Sequence, residues 1–359
     1  MSSVNFGYMF PSLKGIQAGR EYYVSQCPVR LLPRIFTFDD SDLPVDARAQ
    51  RTLNRQRIPE IARYIVENRD EYVFSAITAS IDAEVSFEPL DKDHPEIGVL
   101  HVPMSARFIV NDGQHRRAAL TAALEQDPEL GKETIGVVFF VDIGLKRSQQ
   151  MFADLNRHSV RPSASIGVLY DHREPLAEIT RKVVKSIPML KDLVESERST
   201  LAPKSRKLFT LSAIHNAHTS LLAGTIETNQ LSVAKEFWTA VIKAFPEWND
   251  VHVRRITAGE VRQDFIHSHG TVLHAIGKVG NSMLRNQPVK WDKLTKALSS
   301  LDWSRTNTKL WEGRVLIGGR VSKANQSVVL TVSVIKQALN IPLSPDETRL
   351  EEALEGAKK

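Results

Sequence analysis

The stretch from Arg107 to Leu120, RFIVNDGQHRRAAL, concentrates side chains that bind anions. An alternating apolar run stops at Asn-Asp-Gly, a Gln-His-Arg-Arg cluster follows, and an alanine-rich segment typical of a helix begins. Basic side chains in the first turn of a helix lie beside the positive end of its dipole, which costs up to ~1 kcal/mol per residue without an anion opposite. The pattern therefore predicts that an anion binds at this turn.

The residue types suggest how the turn would hold that anion. Asp112 is placed to cap the helix, since its carboxylate can accept from free amides of the first turn. Gly113 allows a sharp turn and a close approach of the ligand. The amides of Gln114, His115 and Arg116 would then point outward, and the guanidinium fork of Arg116 suits phosphate. The alternative is a capped helix whose basic residues are merely solvated, and the turn alone does not decide between them.

The composition is that of an ordinary soluble globular protein, with 42% hydrophobic and 25% charged residues. A net charge of +5 favours polyanionic partners. The N-terminus lacks the pattern of a secretory signal, and the longest apolar stretch is too short to span a bilayer. We therefore expect a cytoplasmic protein without membrane association. The single cysteine, Cys27, excludes an intrachain disulfide and a cysteine-based zinc cluster.

The hydrophobic pattern predicts two domains and an α+β fold. Strand-like EYYVSQCPVRLLPRIFTF, broken by prolines, precedes a helical pattern in RTLNRQRIPEIARYIVENRDEY and strand-like YVFSAITASIDAEVSF. The strand ARFIV, a helix from Gly113 to about Glu125, the strand TIGVVFFVD and the helix LKRSQQMFADLNRH follow. Beyond these, helical patterns dominate and end in a charged, fraying helix. We predict an α/β domain over residues 1–170 and a mainly helical domain over residues 171–359.

The order of strand, Asp-Gly-Gln-His-Arg and helix resembles the DGQHR-domain proteins and, more distantly, the ParB/sulfiredoxin-like superfamily. In that superfamily a similar turn at a helix N-terminus holds nucleotide phosphates. Sulfiredoxins carry a reactive cysteine within the turn, where this chain has Gln114, so redox repair is excluded. The resemblance implies a ParB-like N-terminal domain in which phosphate is bound by Gly113, Gln114, His115, Arg116 and Arg117.

A second polar motif, QQMFADLNRHSVRPS, lies one strand and one helix later, as in ParB-type proteins. The resemblance implies that Asn156, Arg157, His158 and Arg161 converge on the pocket of Arg116. The alternative is the end of a helix, where basic residues are favoured by the dipole. That alternative explains Arg157 and Arg161 but does not explain Asn156.

Taken with these motifs, FPSLKGIQAGREYYV near the start and DWSRTNTKLWEG near the end resemble the DndB family. This family belongs to bacterial DNA phosphorothioate modification, in which sulfur replaces a backbone oxygen of DNA. The resemblance implies a DNA-associated protein that represses or tunes the modification genes, with duplex promoter DNA and other proteins of the system as partners and a homo-oligomer as the expected assembly. It does not imply the sulfur-transfer enzyme, since iron–sulfur chemistry needs several thiolates.

Two other functions stay open. In a nucleotide hydrolase or nucleotide-gated switch, a nucleoside triphosphate with Mg²⁺ would bind the turn, and Asp112 or Gln114 would place the metal ion or a water molecule. Phosphoryl transfer is mainly positioning and charge stabilisation, so such a pocket is chemically sufficient. A structural adaptor for the modification complex would leave the turn idle.

Two basic clusters are candidate contacts for DNA phosphates. The first precedes the helix after residue 57, and the second lies in PKSRKLF without an interleaved acidic residue. A solvated charged face is the alternative, which we favour for Arg63 and Arg69 among their glutamates. The candidate residues are Arg51, Arg55, Arg57, Lys204, Arg206 and Lys207.

The remaining reactive side chains give weaker predictions. His267, His269 and His274, with His215 and His218, lack the spacing of a zinc site, so we predict no metal. Cys27 is a candidate redox-responsive thiol because Arg30 is near it in sequence, and an inert buried cysteine is the alternative.

Overall fold

The computed structural model describes residues 7–36, 54–142, 150–151, 154–155, 162–225, 229–285 and 288–358. The chain divides into two compact units, residues 1–160 and 161–359. Each unit has a hydrophobic core of its own. A mixed seven-stranded sheet together with many helices confirms the predicted α+β class. Among the described residues, no helix combines the length and the apolar composition needed to cross a membrane.

The first unit is built on the seven-stranded sheet. Its strands are β1 Gly7–Gln17, β2 Arg20–Pro28, β3 Ile77–Asp82, β4 Ser86–Pro89, β5 Ile97–Pro103, β6 Arg107–Asp112 and β7 Thr134–Val141. Its helices are α1 Leu32–Ile35, α2 Ile58–Glu67 and α3 Gln114–Gln126, with 3-10 turns at Val29–Leu31, Arg55–Arg57 and Pro128–Lys132. The strand order is β4-β5-β1-β2-β7-β3-β6. Strands β3 and β7 pair in parallel, and the other neighbours pair antiparallel.

Helix α3 is fixed against one face of this sheet. Its buried positions are the small Ala119 and Ala123 and the larger Leu120, which recur at helical spacing. Helix α2 packs against α3 and buries Ala62 and Ile65 in the same core. The start of α3 is therefore held by the core, directly after the edge strand β6.

The sequence-based elements of this unit are largely confirmed. Helices α2 and α3 and strands β3, β6 and β7 lie where the periodicity predicts them. Strands β1 and β5 were missed. The segment after β2 is a 3-10 turn and the helix α1 instead of a second strand, with Pro33 near the start of that helix, where proline is tolerated. The predicted helix LKRSQQMFADLNRH lies almost entirely outside the described residues.

The second unit is mainly helical. Its core contains the wholly buried Trp238, Trp248 and Trp311. Two short ladders pair β8 Val194–Glu195 with β9 Phe209–Thr210 and β10 Leu316–Ile317 with β11 Arg320–Val321. The described helices are α4 Ala164–Tyr170, α5 Pro175–Ser186, α6 Pro188–Leu193, α7 Leu211–Leu221, α8 Gln230–Ala244, α9 Pro246–His252, α10 Ala258–Asp264, α11 Gly270–Leu284, α12 Trp291–Ser300, α13 Thr308–Trp311, α14 Asn325–Ala338 and α15 Pro345–Lys358.

The C-terminal helix α15 corrects one expectation. Its sequence predicts a charged, fraying helix, but Glu347 and Glu351 are buried. The Lys336 ammonium lies 2.8 Å from both carboxylate oxygens of Glu347, and Arg314 Nη2 lies 2.5 Å from Glu351 Oε2. Two acidic side chains that looked solvated therefore tie α15 to the unit, because Glu347 pairs with the buried Lys336 and Glu351 with the partly buried Arg314.

Candidate functional site

The Asp-Gly-Gln-His-Arg turn begins at a β-bulge. The pairing of β3 with β6 shifts between Thr78 and Ala79, whose partners are Asp112 and Val110, so Asn111 is the extra residue. Asn111 is fully buried, and its side-chain amide donates to Ser80 Oγ at 2.7 Å. A bulge re-aims the residues beside it. Here it sets the direction in which Asp112 leaves the sheet.

Gly113 is the N-cap residue of α3 and has a left-handed conformation, with φ of 95°. A Cβ at this position would lie 3.0 Å from Arg116 Nη2 and 3.2 Å from Ile77 Cγ1. Both the conformation and the space therefore require glycine. The glycine leaves room for the Arg116 side chain to fold back over the turn.

Arg116 is the centre of the turn. Its Nη2 donates to Asp112 Oδ2 at 2.5 Å, and its Nη1 donates to the hydroxyl of Ser75 and, at 3.3 Å, to the Ser75 carbonyl. The prediction that Asp112 caps α3 is wrong, since the N-cap residue is Gly113. The Asp112 carboxylate instead accepts from a guanidinium four residues later, a favourable helical spacing for an ion pair.

The N-cap residue of α3, Gly113, has no side chain that could accept from the first amides of the helix. The amide of Arg117 donates to the Gly113 carbonyl at 2.9 Å, so the amides of Gln114, His115 and Arg116 precede this first intrahelical bond. The Arg116 side chain is 19% exposed and that of Asp112 is 48% exposed, so an anion can reach the pair. A phosphate would have to compete with the Asp112 carboxylate for the Arg116 fork.

Gln114, His115 and Arg117 are the other side chains predicted to bind phosphate at the turn. Gln114 is the first residue of α3, and its side-chain nitrogen is buried without a hydrogen bond among the described residues. His115 and Arg117 are partly buried in the first turn of α3. The convergence of the second motif on Arg116 stays a prediction, because its four candidate residues, Asn156, Arg157, His158 and Arg161, lie outside the described residues.

The first basic cluster lies at the start of α2. Arg55 and Arg57 are exposed on a 3-10 turn whose N-cap, Asn54, accepts from an amide of that turn, and Arg51 lies outside the described residues. Arg63 is exposed, in agreement with a solvated face. Arg69 differs, because its Nε lies 2.8 Å from Asp127 and its Nη1 pairs with Glu133. Arg69 therefore joins the ends of α2 and α3.

The second basic cluster lies on residues 203–207, which we call the 203–207 loop. The guanidinium of Arg262 donates to the carbonyls of Ala202 at 3.0 Å and Pro203 at 2.9 Å, and to those of Ser205 and Lys207. Lys207 itself donates to the carbonyl of Asp192 at 2.8 Å. Lys204 and Arg206 are exposed. The loop therefore presents these two cations from a backbone held by hydrogen bonds.

The histidines of the second unit are bound to protein groups. Trp238 Nε1 donates to His218 Nε2 at 2.6 Å, and Trp248 Nε1 donates to His267 Nδ1 at 2.9 Å. Burial is the main cause that lowers the pKa of each of these histidines to about 3. Within the described ranges, no group of three or more His, Cys, Asp or Glu residues is placed to hold a metal ion.

Cys27 is a residue of β2 whose side chain lies in the core of the first unit and is completely buried. Burial raises the pKa of its thiol to about 12. A thiolate is the reactive form of cysteine, and the thiol form dominates here at neutral pH. These observations favour the inert alternative over the redox-responsive thiol.

Some residues of interest carried no clear signal in the sequence. Ser75 contacts Arg116 from a segment 41 residues earlier, which no local pattern reveals. Arg262 belongs to the ordinary-looking helix α10, and its role depends on carbonyls of a distant loop. Arg305 lies in DWSRTNTKLWEG, a segment noted only for its family resemblance.

The family comparison agrees with the motifs. The family model described as DndB, DNA-sulfur modification-associated, matches residues 10–342, which is most of the chain. The match includes the Asp-Gly-Gln-His-Arg turn and the 203–207 loop. No curated protein and no solved structure shows significant similarity to the chain.

Proposed function

The chain belongs to the DndB family of DNA-sulfur modification-associated proteins, and from that membership we propose that it is a DNA-binding regulator of a DNA sulfur modification system. In this proposal it represses the modification genes by binding their promoter DNA. Its partners are duplex DNA and other proteins of the system, and it acts as a homo-oligomer. The first unit, with its strand, glycine turn and helix, is proposed to be ParB-like.

The observation that carries the DNA-binding proposal is the 203–207 loop. Lys204 and Arg206 are exposed, and Arg262 fixes the backbone around them through the carbonyls of Ala202, Pro203, Ser205 and Lys207. Fixing the backbone lowers the conformational entropy that binding would otherwise cost. Arg55 and Arg57 supply a further exposed pair of cations. Such cations bind DNA phosphates and release condensed counterions.

The test is the salt dependence of binding to a duplex that carries the promoter of the modification genes. We expect the affinity to fall steeply between about 50 and 200 mM salt. The slope of the logarithm of the binding constant against the logarithm of the salt concentration should decrease in magnitude by about 0.9 for each phosphate contact removed. The double variant Lys204→Gln with Arg206→Gln should lower the magnitude of this slope by about twice that amount. Lys293→Gln with Lys296→Gln, exposed positions of α12, removes the same charge and is the control.

The proposal fails in two distinguishable ways. Equal slopes for the loop variant and the control variant would remove the 203–207 loop from the interface. Equal affinity for the promoter and for a scrambled duplex of the same length would contradict promoter recognition, and so would a reporter gene that the protein does not repress.

A nucleotide-binding function is the second candidate, favoured by the turn around Arg116. The amides at the start of α3, the fork of Arg116 and the half-exposed Asp112 provide groups for phosphate and for Mg²⁺. A nucleoside triphosphate with Mg²⁺ would then be the cofactor, with Asp112 and Gln114 in catalytic positions. Phosphate release from nucleoside triphosphates, with and without duplex DNA, tests this candidate.

A further inference from the structure

The packing of the segment DWSRTNTKLWEG fixes the position of Arg305. The rings of Trp303 and Trp311 stack with centroids 4.9 Å apart, and both indole N–H groups donate to backbone carbonyls. The backbone pairs with the segment before α11, where the amide of Ile266 donates to the Trp303 carbonyl at 3.1 Å. Arg305 lies between the two tryptophans in sequence, so its position is defined by this packing.

Arg305 is held by acceptors that carry no negative charge. Its Nη2 lies 2.8 Å from His269 Nε2 and 2.9 Å from the Arg262 carbonyl, and its Nη1 donates to the Gly319 carbonyl. Its Nε is buried without a hydrogen bond among the described residues. Asp264 attracts the guanidinium, but no ion pair with Arg305 is formed within the part of the chain that the structure describes. A partly buried, uncompensated charge is unfavourable unless an anion approaches it.

His269 stays neutral beside this guanidinium. His269 Nε2 lies 2.8 Å from Arg305 Nη2 and 3.1 Å from the Arg262 carbonyl oxygen. Burial is the main cause that lowers the pKa of His269 to about 4; the charges of Arg305, Arg262 and Lys323 also lower it, while the hydrogen bond with the Arg262 carbonyl raises it. Arg305, Arg262 and Lys323 therefore lie near one another, and the neutral His269 adds no charge to this group at neutral pH.

The same region contains the start of α11. The side chain of its N-cap residue, His269, makes no cap hydrogen bond, and its first turn has no acidic residue. Val272 and Leu273 donate to the His269 carbonyl, so the amides of Gly270 and Thr271 precede the first intrahelical bond. The hydroxyl of Ser268, a residue only 4% exposed, is buried beside this turn without a hydrogen bond among the described residues.

We propose that Arg305, Lys323 and the first turn of α11 form a second phosphate-binding site, separate from the Asp-Gly-Gln-His-Arg turn. Arg305 supplies free donor capacity, Lys323 supplies an exposed charge, and the helix start supplies amides for the phosphate oxygens. His269 positions Arg305. The ligand is a phosphate group, carried by a DNA backbone or by a free nucleotide.

The DNA backbone is the favoured source, and this choice rests on the proposed function. Arg262 joins the two features, since its guanidinium fixes the 203–207 loop while its carbonyl accepts from Arg305. Lys204 and Arg206 therefore lie on a loop tied to the same arginine. A backbone with successive phosphates can contact both places, whereas a free nucleotide would fill only one.

The experiment compares the full-length wild type with Arg305→Gln, Lys323→Gln and the control Arg349→Gln, an exposed arginine of α15. The first measurement is the melting temperature in sodium phosphate against sodium chloride at equal ionic strength. The second is the salt dependence of binding to duplex DNA. We expect phosphate to raise the melting temperature of the site variants less than that of the wild type and the control, and each site variant to lower the DNA salt slope by about 0.9.

The outcomes separate the site from the proposed function. A smaller phosphate effect together with a lower salt slope in Lys323→Gln, whose side chain is exposed, supports a site for DNA phosphate. A smaller phosphate effect alone supports the site with a free phosphate as ligand, even where the wild type fails to bind DNA and the proposed function is wrong. Site variants that match the wild type in both measurements, or a wild type without either effect, overturn the inference.

Discussion

At the scale of single residues, the carboxylate of Asp112 occupies the arginine fork that a phosphate would need. The Asp112–Arg116 pair is partly exposed, so its stabilisation is about 1 kcal/mol or less. Asp112→Asn should remove the competing charge and raise the affinity of the Mg²⁺-free protein for inorganic phosphate by up to about fivefold. Calorimetric titration measures this affinity.

Asp82→Asn is the matched control, because Asp82 pairs with Arg107 at the other end of the same strand pair. A similar gain in this control would mean a general effect of charge. A lower phosphate affinity of Asp112→Asn without Mg²⁺ would contradict the competition. A loss confined to solutions with Mg²⁺ would instead assign the carboxylate to the metal ion.

The same pair shows what the sequence could and could not predict. The residue types and their order predicted a glycine turn and a basic helix start, and both are present. The predicted capping role of Asp112 was wrong, because capping and ion pairing compete for one carboxylate. The choice depends on the conformation of Gly113 and on Ser75, which holds Arg116 from a distant segment. Neither is visible in a local pattern.

At the scale of elements, helices with one apolar stripe were predictable and strands paired over long distances were not. Helix α3 was placed to within one residue at its end. Strand β1 was not predicted because Met9, Leu13 and Ile16 are exposed, so its apolar residues do not alternate with polar ones. Its partner β5 lies far along the chain. The two strands are neighbours only in the folded sheet, so no local sequence pattern predicts their pairing.

Neutral histidines connect the helices of the second unit. His218 on α7 accepts from Trp238 on α8, and its Nδ1 lies 2.8 Å from the hydroxyl of Thr180 on α5. Protonation of Nε2 would break the bond from Trp238. Because burial lowers the pKa of His218 and His267 to about 3 and that of His269 to about 4, the folded protein does not take up these protons near pH 5.

An unfolded histidine titrates near pH 6.5, so the stability from these three groups is complete above that pH and is lost as pH falls below it. We expect the free energy of unfolding to fall by up to about 4 kcal/mol per pH unit below pH 6. Urea unfolding at a series of pH values measures it. His218→Gln should flatten the dependence, and the exposed His94→Gln should not. Equal stability at pH 7 and pH 5 would contradict the prediction.

At the scale of the whole molecule, the division of the chain decides which fragments can fold. The sequence predicts a boundary at residue 170, and the contacts divide the chain between residues 160 and 161. Helix α4 lies between these two positions. Ser165 Oγ on α4 donates to the Arg198 carbonyl at 2.9 Å, and Arg181 Nη1 donates to the Val168 carbonyl at 2.6 Å. Val168 is part of the core of the second unit.

A fragment of residues 162–359 should therefore be more stable than a fragment of residues 171–359. Loss of the buried Val168 side chain alone removes roughly 1.5 kcal/mol of hydrophobic stabilisation, and the Arg198 carbonyl loses a donor. The melting temperatures of the two fragments measure the difference, and Val168→Ala in the longer fragment should lie between them. Equal melting temperatures would place the boundary at residue 170 after all, because α4 would then contribute nothing to the fold of the second unit.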